Sequence, residues 1–199
     1  AAVVGGCSAL TNHRVGSEGL AMTPVPSLAP VTLVLGGARS GKSRFAEQLV
    51  EAVGGGLYLA SAEAGDAEMA ERIRCHQERR GNTWETIEEP LELAATLVAK
   101  TQTDRPILVD CLTMWLSNLL GAGRDPDAEG NALAAVLRCL AGPVVLVSNE
   151  VGSGVVPDNP LARRFIDCAG RLNQVVAGTA DRVVLIAAGL PTTLKNLER

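Results

Sequence analysis

The chain has 199 residues, enough for one domain with or without a tail. A hydrophobic content of 47% supports a sizeable core and excludes disorder across the whole chain; at 3% aromatic, that core must be built from Val, Leu, Ile and Ala. The net charge is −4 and no long basic run occurs, which disfavours a nucleic-acid partner.

Residues 1–30 differ in kind from the rest. Gly5, Gly6, Gly16 and Gly19 are followed by Pro24, Pro26 and Pro30, with little periodicity. This reads as a flexible N-terminal extension, with Met22 a candidate initiator, ahead of one domain over 31–199. Cys7, Cys75, Cys111, Cys139 and Cys168 are odd in number and contain no C-x-x-C pair. That spacing argues against a zinc site or a disulfide framework and fits a reducing cytoplasm. No apolar run is long enough to span a bilayer.

From Val31 the chain alternates apolar strands with amphipathic helices. Val31 to Leu35 is a β-branched run that enters Gly36-Gly37-Ala38-Arg39-Ser40-Gly41-Lys42-Ser43. This octet satisfies G-x-x-x-x-G-K-[ST], and Arg44 to Val53 reads as the helix after it. The glycines let backbone N–H groups turn inward as an anion nest, and the helix adds its positive end. Lys42 is placed to reach the outer phosphates of a nucleotide, and Ser43 to ligate Mg²⁺.

Leu57 to Ser61 reads as a second strand. Asp66 to Arg80 reads as a helix closed by Gly81, with Met69, Ile73, His76 and Arg80 on one face. Trp84 to Glu89 is irregular or a short strand, and Pro90 starts a helix. Pro106 to Asp110 is a strand, Thr113 to Leu120 a helix, and 121–130 a flexible glycine-containing loop. Asn131 to Cys139 is a helix and Val144 to Ser148 a strand. A loop over 152–160 leads to a long helix, Leu161 to Ala177. Arg182 to Ala187 is the final strand, and Gly189-Leu190-Pro191 ends the ordered part.

Continuous apolar strands alternating with helices predict a mainly parallel α/β sheet covered on both faces, of P-loop NTPase type. Ligands of such sheets sit at the carboxyl ends of the strands. The candidate site is therefore the P-loop, Ala60-Ser61-Ala62, Asp110, Asn149-Glu150 and Gly189. Asp110 occupies the Walker-B position that helps hold Mg²⁺, its alternative being a helix N-cap. Glu150 is open between metal ligand, orienter of a substrate hydroxyl, and cap. A lone helical histidine is more often structural than catalytic, so His76 carries both readings, and its neighbouring arginines are either a phosphate-holding cluster or a solvated face.

Read in order, the octet Gly36–Ser43, Arg72-Ile73-x-x-His76, Val147-Ser148-Asn149-Glu150-Val151-Gly152, Val155-Val156-Pro157-x-Asn159-x-Leu161-Ala162-Arg163 and Gly170-Arg171-Leu172-Asn173-Gln174 form a specific series. It resembles the bifunctional adenosylcobinamide kinase / adenosylcobinamide-phosphate guanylyltransferase family of cobalamin biosynthesis, over about Val31 to Gly189. The resemblance implies a P-loop fold, use of GTP, ATP and Mg²⁺, and a homo-oligomer, typically a trimer. It implies that His76 becomes guanylylated and that Ala60, Ser61, Ala62, Gln77, Glu78, Arg79, Arg80, Glu88 and Asp110 line the GTP site. Some relatives carry two adjacent histidines where this chain has Cys75-His76, and a basic residue at the place of Gln77. Two other classes compete: a simple P-loop kinase of a small metabolite, with His76 structural, and a non-catalytic GTP-binding protein. The guanine-specifying Asn-Lys-x-Asp pattern of the latter is missing from the sequence.

Overall fold

A computed structural model describes residues 28–62 and 84–197. The elements in chain order are β1 (Val31–Gly36), α1 (Lys42–Glu51), β2 (Gly56–Ala60), β3 (Trp84–Glu88), α2 (Leu93–Lys100) and β4 (Ile107–Asp110). They continue with α3 (Leu112–Gly121), α4 (Pro126–Leu137), β5 (Val144–Asn149), α5 (Pro160–Thr179), β6 (Arg182–Ala187) and β7 (Leu190–Asn196). The predicted helix over Asp66 to Arg80, with Cys75 and His76, and nearly all of the N-terminal extension lie outside the described residues.

The strands form one sheet in the order β3-β2-β4-β5-β1-β6-β7. Every pairing is parallel except β6 with β7. The continuous apolar character of the strands has a direct cause: both faces are covered. Leu33, Leu59, Val109 and Leu146 point to a core shared with α2 to α5, while Val34, Tyr58, Leu108, Val145 and Val147 point to the side of α1, against Ala46 and Val50. Successive residues of a strand thus alternate between two cores. Among the described residues no helix is long and apolar enough to cross a membrane.

Four expectations require correction. The glycine-containing stretch 121–130 is not one flexible loop. Asp125 accepts a hydrogen bond from the N–H of Asp127 at 3.0 Å, Pro126 opens α4, and Asp127 and Glu129 lie in its first turn. These are a cap, a pre-set φ and favourable charges for a helix start, outweighing Gly130. Gly130 has a packing role: a Cβ there would meet Leu172 of α5 at 3.1 Å, so glycine permits the close approach of α4 to α5. The chain also does not lose order at Pro191. Ala188 (φ 51°) and Gly189 (φ 79°) make a two-residue turn, and β7 returns antiparallel along β6. Such a turn matches the twist of a hairpin. Pro90 does not begin α2, because Glu89 Oε1 accepts from the N–H groups of Leu91 and Glu92 and holds the chain in a turn first. Finally, α1 starts at Lys42, two residues before the predicted Arg44, so the last two residues of the octet are already helical.

Candidate functional site

The octet joins the end of β1 to the start of α1. Gly36 is buried at the end of the strand, and a Cβ there would lie 2.7 Å from the carbonyl oxygen of Ile186 and would collide with Ser40. Only glycine lets the chain turn there without displacing β6. Gly41 sits at φ 99°, as does no L-residue without strain, and turns the chain into the helix. Gly37, Ala38, Arg39 and Gly41 are exposed, whereas Ser40, Lys42 and Ser43 are half-buried. The loop therefore presents open backbone at the N-terminus of a ten-residue helix. Lys42 Nζ donates to the carbonyl of Gly37 at 3.2 Å, folding over the loop it belongs to. The hairpin turn after β6 braces the loop from the side: the Gly189 N–H donates to the Ser40 carbonyl at 2.9 Å.

Asp110 ends β4, two strands from β1, with β5 between them. It lies in register with Ala60 on one side and Val147 on the other. Its Oδ2 accepts from the Tyr58 hydroxyl at 2.9 Å. It does not cap the following helix, because the N-cap of α3 is Cys111. The capping alternative for Asp110 is therefore removed. The Cys111 thiol is buried and pushed up to about 11, first by burial and then by the charge of Asp110; the Lys42 ammonium acts in the opposite sense. This thiol is kept protonated and inert.

Ser61 is fully buried just beyond β2. Its Oγ donates to the Cys111 carbonyl at 2.7 Å and accepts from the Cys111 N–H at 2.9 Å. Its own carbonyl accepts from Asn118 Nδ2. The serine hydroxyl thus ties the end of β2 to the end of β4. Ala60 and Ala62 flank it, half-buried, and Glu88 is exposed at the end of β3. Glu150 is exposed, and its Oε1 accepts from the Gly152 N–H at 2.8 Å, the capping arrangement among its three open readings. Gln77, Glu78, Arg79 and Arg80, with His76, lie outside the described residues.

The sheet brings together the octet, Ala60 to Ala62, Asp110 and Asn149 at the carboxyl ends of β1, β2, β4 and β5. Sequence reasoning missed Tyr58, Thr113 and Asn173, all packed beneath that edge. Tyr58 carried a signal, standing two residues before the end of a strand on the same face as its neighbour's terminal carboxylate.

A mainly parallel α/β sheet with a glycine-rich phosphate loop at the end of β1 and an acidic residue at the end of β4 defines a P-loop nucleotide-binding protein. The sequence profile of the "Cobinamide kinase / cobinamide phosphate guanyltransferase" family matches residues 32–194, and the chain belongs to that family. It is a bifunctional transferase, a nucleotide-using kinase and guanylyltransferase. The chain is similar to the bifunctional adenosylcobalamin biosynthesis protein CobP of Pseudomonas aeruginosa, 52% identical over 168 residues, covering 82% of this chain and 96% of that protein. It is likewise similar to the bifunctional adenosylcobalamin biosynthesis protein CobU of Salmonella typhimurium, 42% identical over 179 residues, covering 82% and 98%. A solved structure of the Pyrococcus horikoshii OT3 protein PH0250 has a similar fold, with a TM-score of 0.53 at 10% identity over 87% of this chain and 90% of that one.

Proposed function

We propose that the chain phosphorylates the aminopropanol hydroxyl of adenosylcobinamide and then transfers GMP from GTP to the product, giving adenosylcobinamide-GDP in cobalamin biosynthesis. The observation that carries this reading is the meeting of the octet Gly36–Ser43 with Asp110 and the end of β2 at one sheet edge, in a chain of this family.

In the kinase half, the substrate hydroxyl attacks the γ-phosphorus of ATP or GTP and the nucleoside diphosphate leaves. Backbone N–H groups of 37–41 hold the phosphates, that of Ser40 leaving the Gly37 carbonyl, and Lys42 swings from the same carbonyl to the outer phosphate oxygens. The oxygen donors present suit Mg²⁺. Ser43 lies in the first turn of α1 beneath the loop, and Asp110 has Oδ1 without a protein donor among the described residues. No group of three or more His, Cys, Asp or Glu that could hold a metal occurs among the described residues. When bound, Mg²⁺ neutralises charge on the β- and γ-phosphate oxygens.

In the guanylyl half, neutral His76 attacks the α-phosphorus of GTP, a nitrogen–phosphorus bond forms and pyrophosphate leaves. A phosphate oxygen of adenosylcobinamide phosphate then attacks the same phosphorus and frees the imidazole. Ala60, Ser61, Ala62, Gln77, Glu78, Arg79, Arg80 and Glu88 line the GTP site in this reading, with Ser61 setting the strand end through its buried hydroxyl. The enzyme works in the cytoplasm as a homo-oligomer, a trimer by resemblance, and residues 1–29, Leu28 apart, add little to the core. The decisive test is incubation with GTP carrying label at the α- or the γ-phosphate, followed by intact mass. α-Label should remain on the protein as an acid-labile, alkali-stable GMP adduct and γ-label should not; an unlabelled protein would overturn the guanylyl half.

A further inference from the structure

Strand β5 lies between β1, which feeds the phosphate loop, and β4, which ends on Asp110. Its last residue, Asn149, is paired in register with Gly36, and the next N–H, of Glu150, donates to the Gly36 carbonyl at 3.1 Å. Asn149 therefore stands beside the start of the phosphate loop.

Asn149 is gripped by a closed ring of hydrogen bonds. Its N–H donates to Thr113 Oγ1 at 2.8 Å. The Thr113 hydroxyl and Ser148 Oγ are 3.4 Å apart. The Ser148 hydroxyl donates to Asn173 Oδ1 at 2.7 Å, so its proton is spent and Thr113 is the donor between the two hydroxyls. Asn173 Nδ2 then donates to the carbonyl of Asn149 at 3.0 Å, closing the ring. Thr113, Ser148 and Asn173 are buried, at 7, 1 and 6% exposure. Each donor in the ring has an acceptor, and such a satisfied network inside a protein is rigid and costly to break.

The ring uses only the backbone of Asn149. Its side chain points to the opposite face by strand alternation, the face of Val145, Val147 and α1, where the phosphate loop opens. There Oδ1 is enclosed and has no hydrogen-bond partner among the described residues. A buried polar atom left without a partner loses its hydration with nothing in return, and so calls for an explanation. The fold fixes both backbone groups of this residue while leaving its Oδ1 without a donor among the described residues. An amide oxygen needs a donor. A phosphate ester at neutral pH offers no proton, whereas the hydroxyl to be phosphorylated does.

We propose that Asn149 is a further catalytic residue of the kinase step, its carboxamide accepting from and orienting the attacking hydroxyl, and that Thr113 and Asn173 are positioning residues that act through it. This rests on the reading of 36–43 as the phosphate site.

The test is a double-mutant cycle on the full chain, measuring phosphoryl transfer from ATP to cobinamide together with ATP affinity in the absence of cobinamide. Asn149→Ala leaves the ring intact, because the ring takes only backbone from this residue, so its result stands whether or not the ring variants fold. It should lower kcat by about 100-fold, the scale of a misplaced reacting group, with ATP affinity retained. Thr113→Val should lower kcat and Thr113→Ser should restore it. In the Asn149→Ala background Thr113→Val should cause no further fall, the non-additivity of residues acting through one another. Parental turnover by Asn149→Ala, losses that multiply, or rescue of Asn149→Ala by excess Mg²⁺ would each overturn the proposal. Lys42→Ala, run in parallel, separates the two failures. If it keeps kinase activity, the phosphate-site reading fails; if it is dead while Asn149→Ala is normal, only the role of Asn149 fails.

Discussion

The Tyr58 hydroxyl donates to Asp110 Oδ2 at 2.9 Å, across the β2–β4 pairing, and so orients the carboxylate at the end of β4. The phenol ring is itself held edge-on by Trp84, with centroids 5.8 Å apart at 82°. Tyr58→Phe keeps that ring contact and removes only the donor. The loss of a hydrogen bond to a charged group should cost about 1.5–3 kcal/mol of stability. If Asp110 helps hold Mg²⁺, the concentration of Mg²⁺ giving half-maximal kinase rate should rise roughly tenfold, the usual scale for losing a partner behind a metal ligand. A Mg²⁺ titration of the initial rate checks this; an unchanged midpoint would remove Asp110 from the metal site.

The cap of α4 gives a second prediction, on stability alone. Asp125 accepts from the Asp127 N–H, and no other side chain among the described residues caps that helix start. Asp125→Ala should cost about 1 kcal/mol. In a chain of this size that lowers Tm by roughly 2–4 °C, measurable by calorimetry, with both activities unchanged.

This helix also shows where the sequence was legible and where it was not. Strands buried on both faces announce themselves as unbroken apolar runs, so β1, β2, β4, β5 and β6 were found to within a residue or two. The octet announced the phosphate site because its glycines answer to local geometry, at Gly36 and Gly41. Gly130 looks the same in sequence but answers to a distant side chain, Leu172, and misled the reading of 121–130. Strand β7 carries exposed side chains along an edge and lacks the apolar run that would reveal it. The ring through Thr113, Ser148 and Asn173 joins three elements far apart in the chain, so no local pattern could disclose it.

Cys111 supplies a prediction on pH. Burial, then the Asp110 charge, raises the folded-state thiol to about 11, above its ordinary value in the unfolded chain. Between those two values the unfolded chain has released the proton and the folded chain retains it. Stability is therefore complete below the unfolded value and is lost as pH rises towards 11, at about 1.4 kcal/mol per pH unit. Urea unfolding at a series of alkaline pH values should show this fall, and Cys111→Ala should flatten it. The same protonation predicts that the thiol in the folded protein resists alkylation.

The two activities should separate genetically. Lys42 is the half-buried first residue of α1, and among the described residues its Nζ bonds to the Gly37 carbonyl alone, so Lys42→Ala should fold normally. It removes the point charge opposite the outer phosphates, and phosphoryl transfer from ATP to cobinamide should be abolished. His76→Ala should act in the reverse sense. Transfer of a γ-phosphoryl group needs positioning and charge stabilisation but no covalent enzyme intermediate, so kinase activity should largely survive. GMP transfer from GTP to cobinamide phosphate, and the acid-labile GMP adduct, should both disappear. Cys75→Ala, altering the neighbour of His76, should keep both activities and the adduct. Each variant is assayed with cobinamide and with cobinamide phosphate as separate substrates. Persistence of the adduct in His76→Ala would move the nucleophile elsewhere. Loss of the kinase step in the same variant would assign the histidine to holding the nucleotide rather than to bond formation.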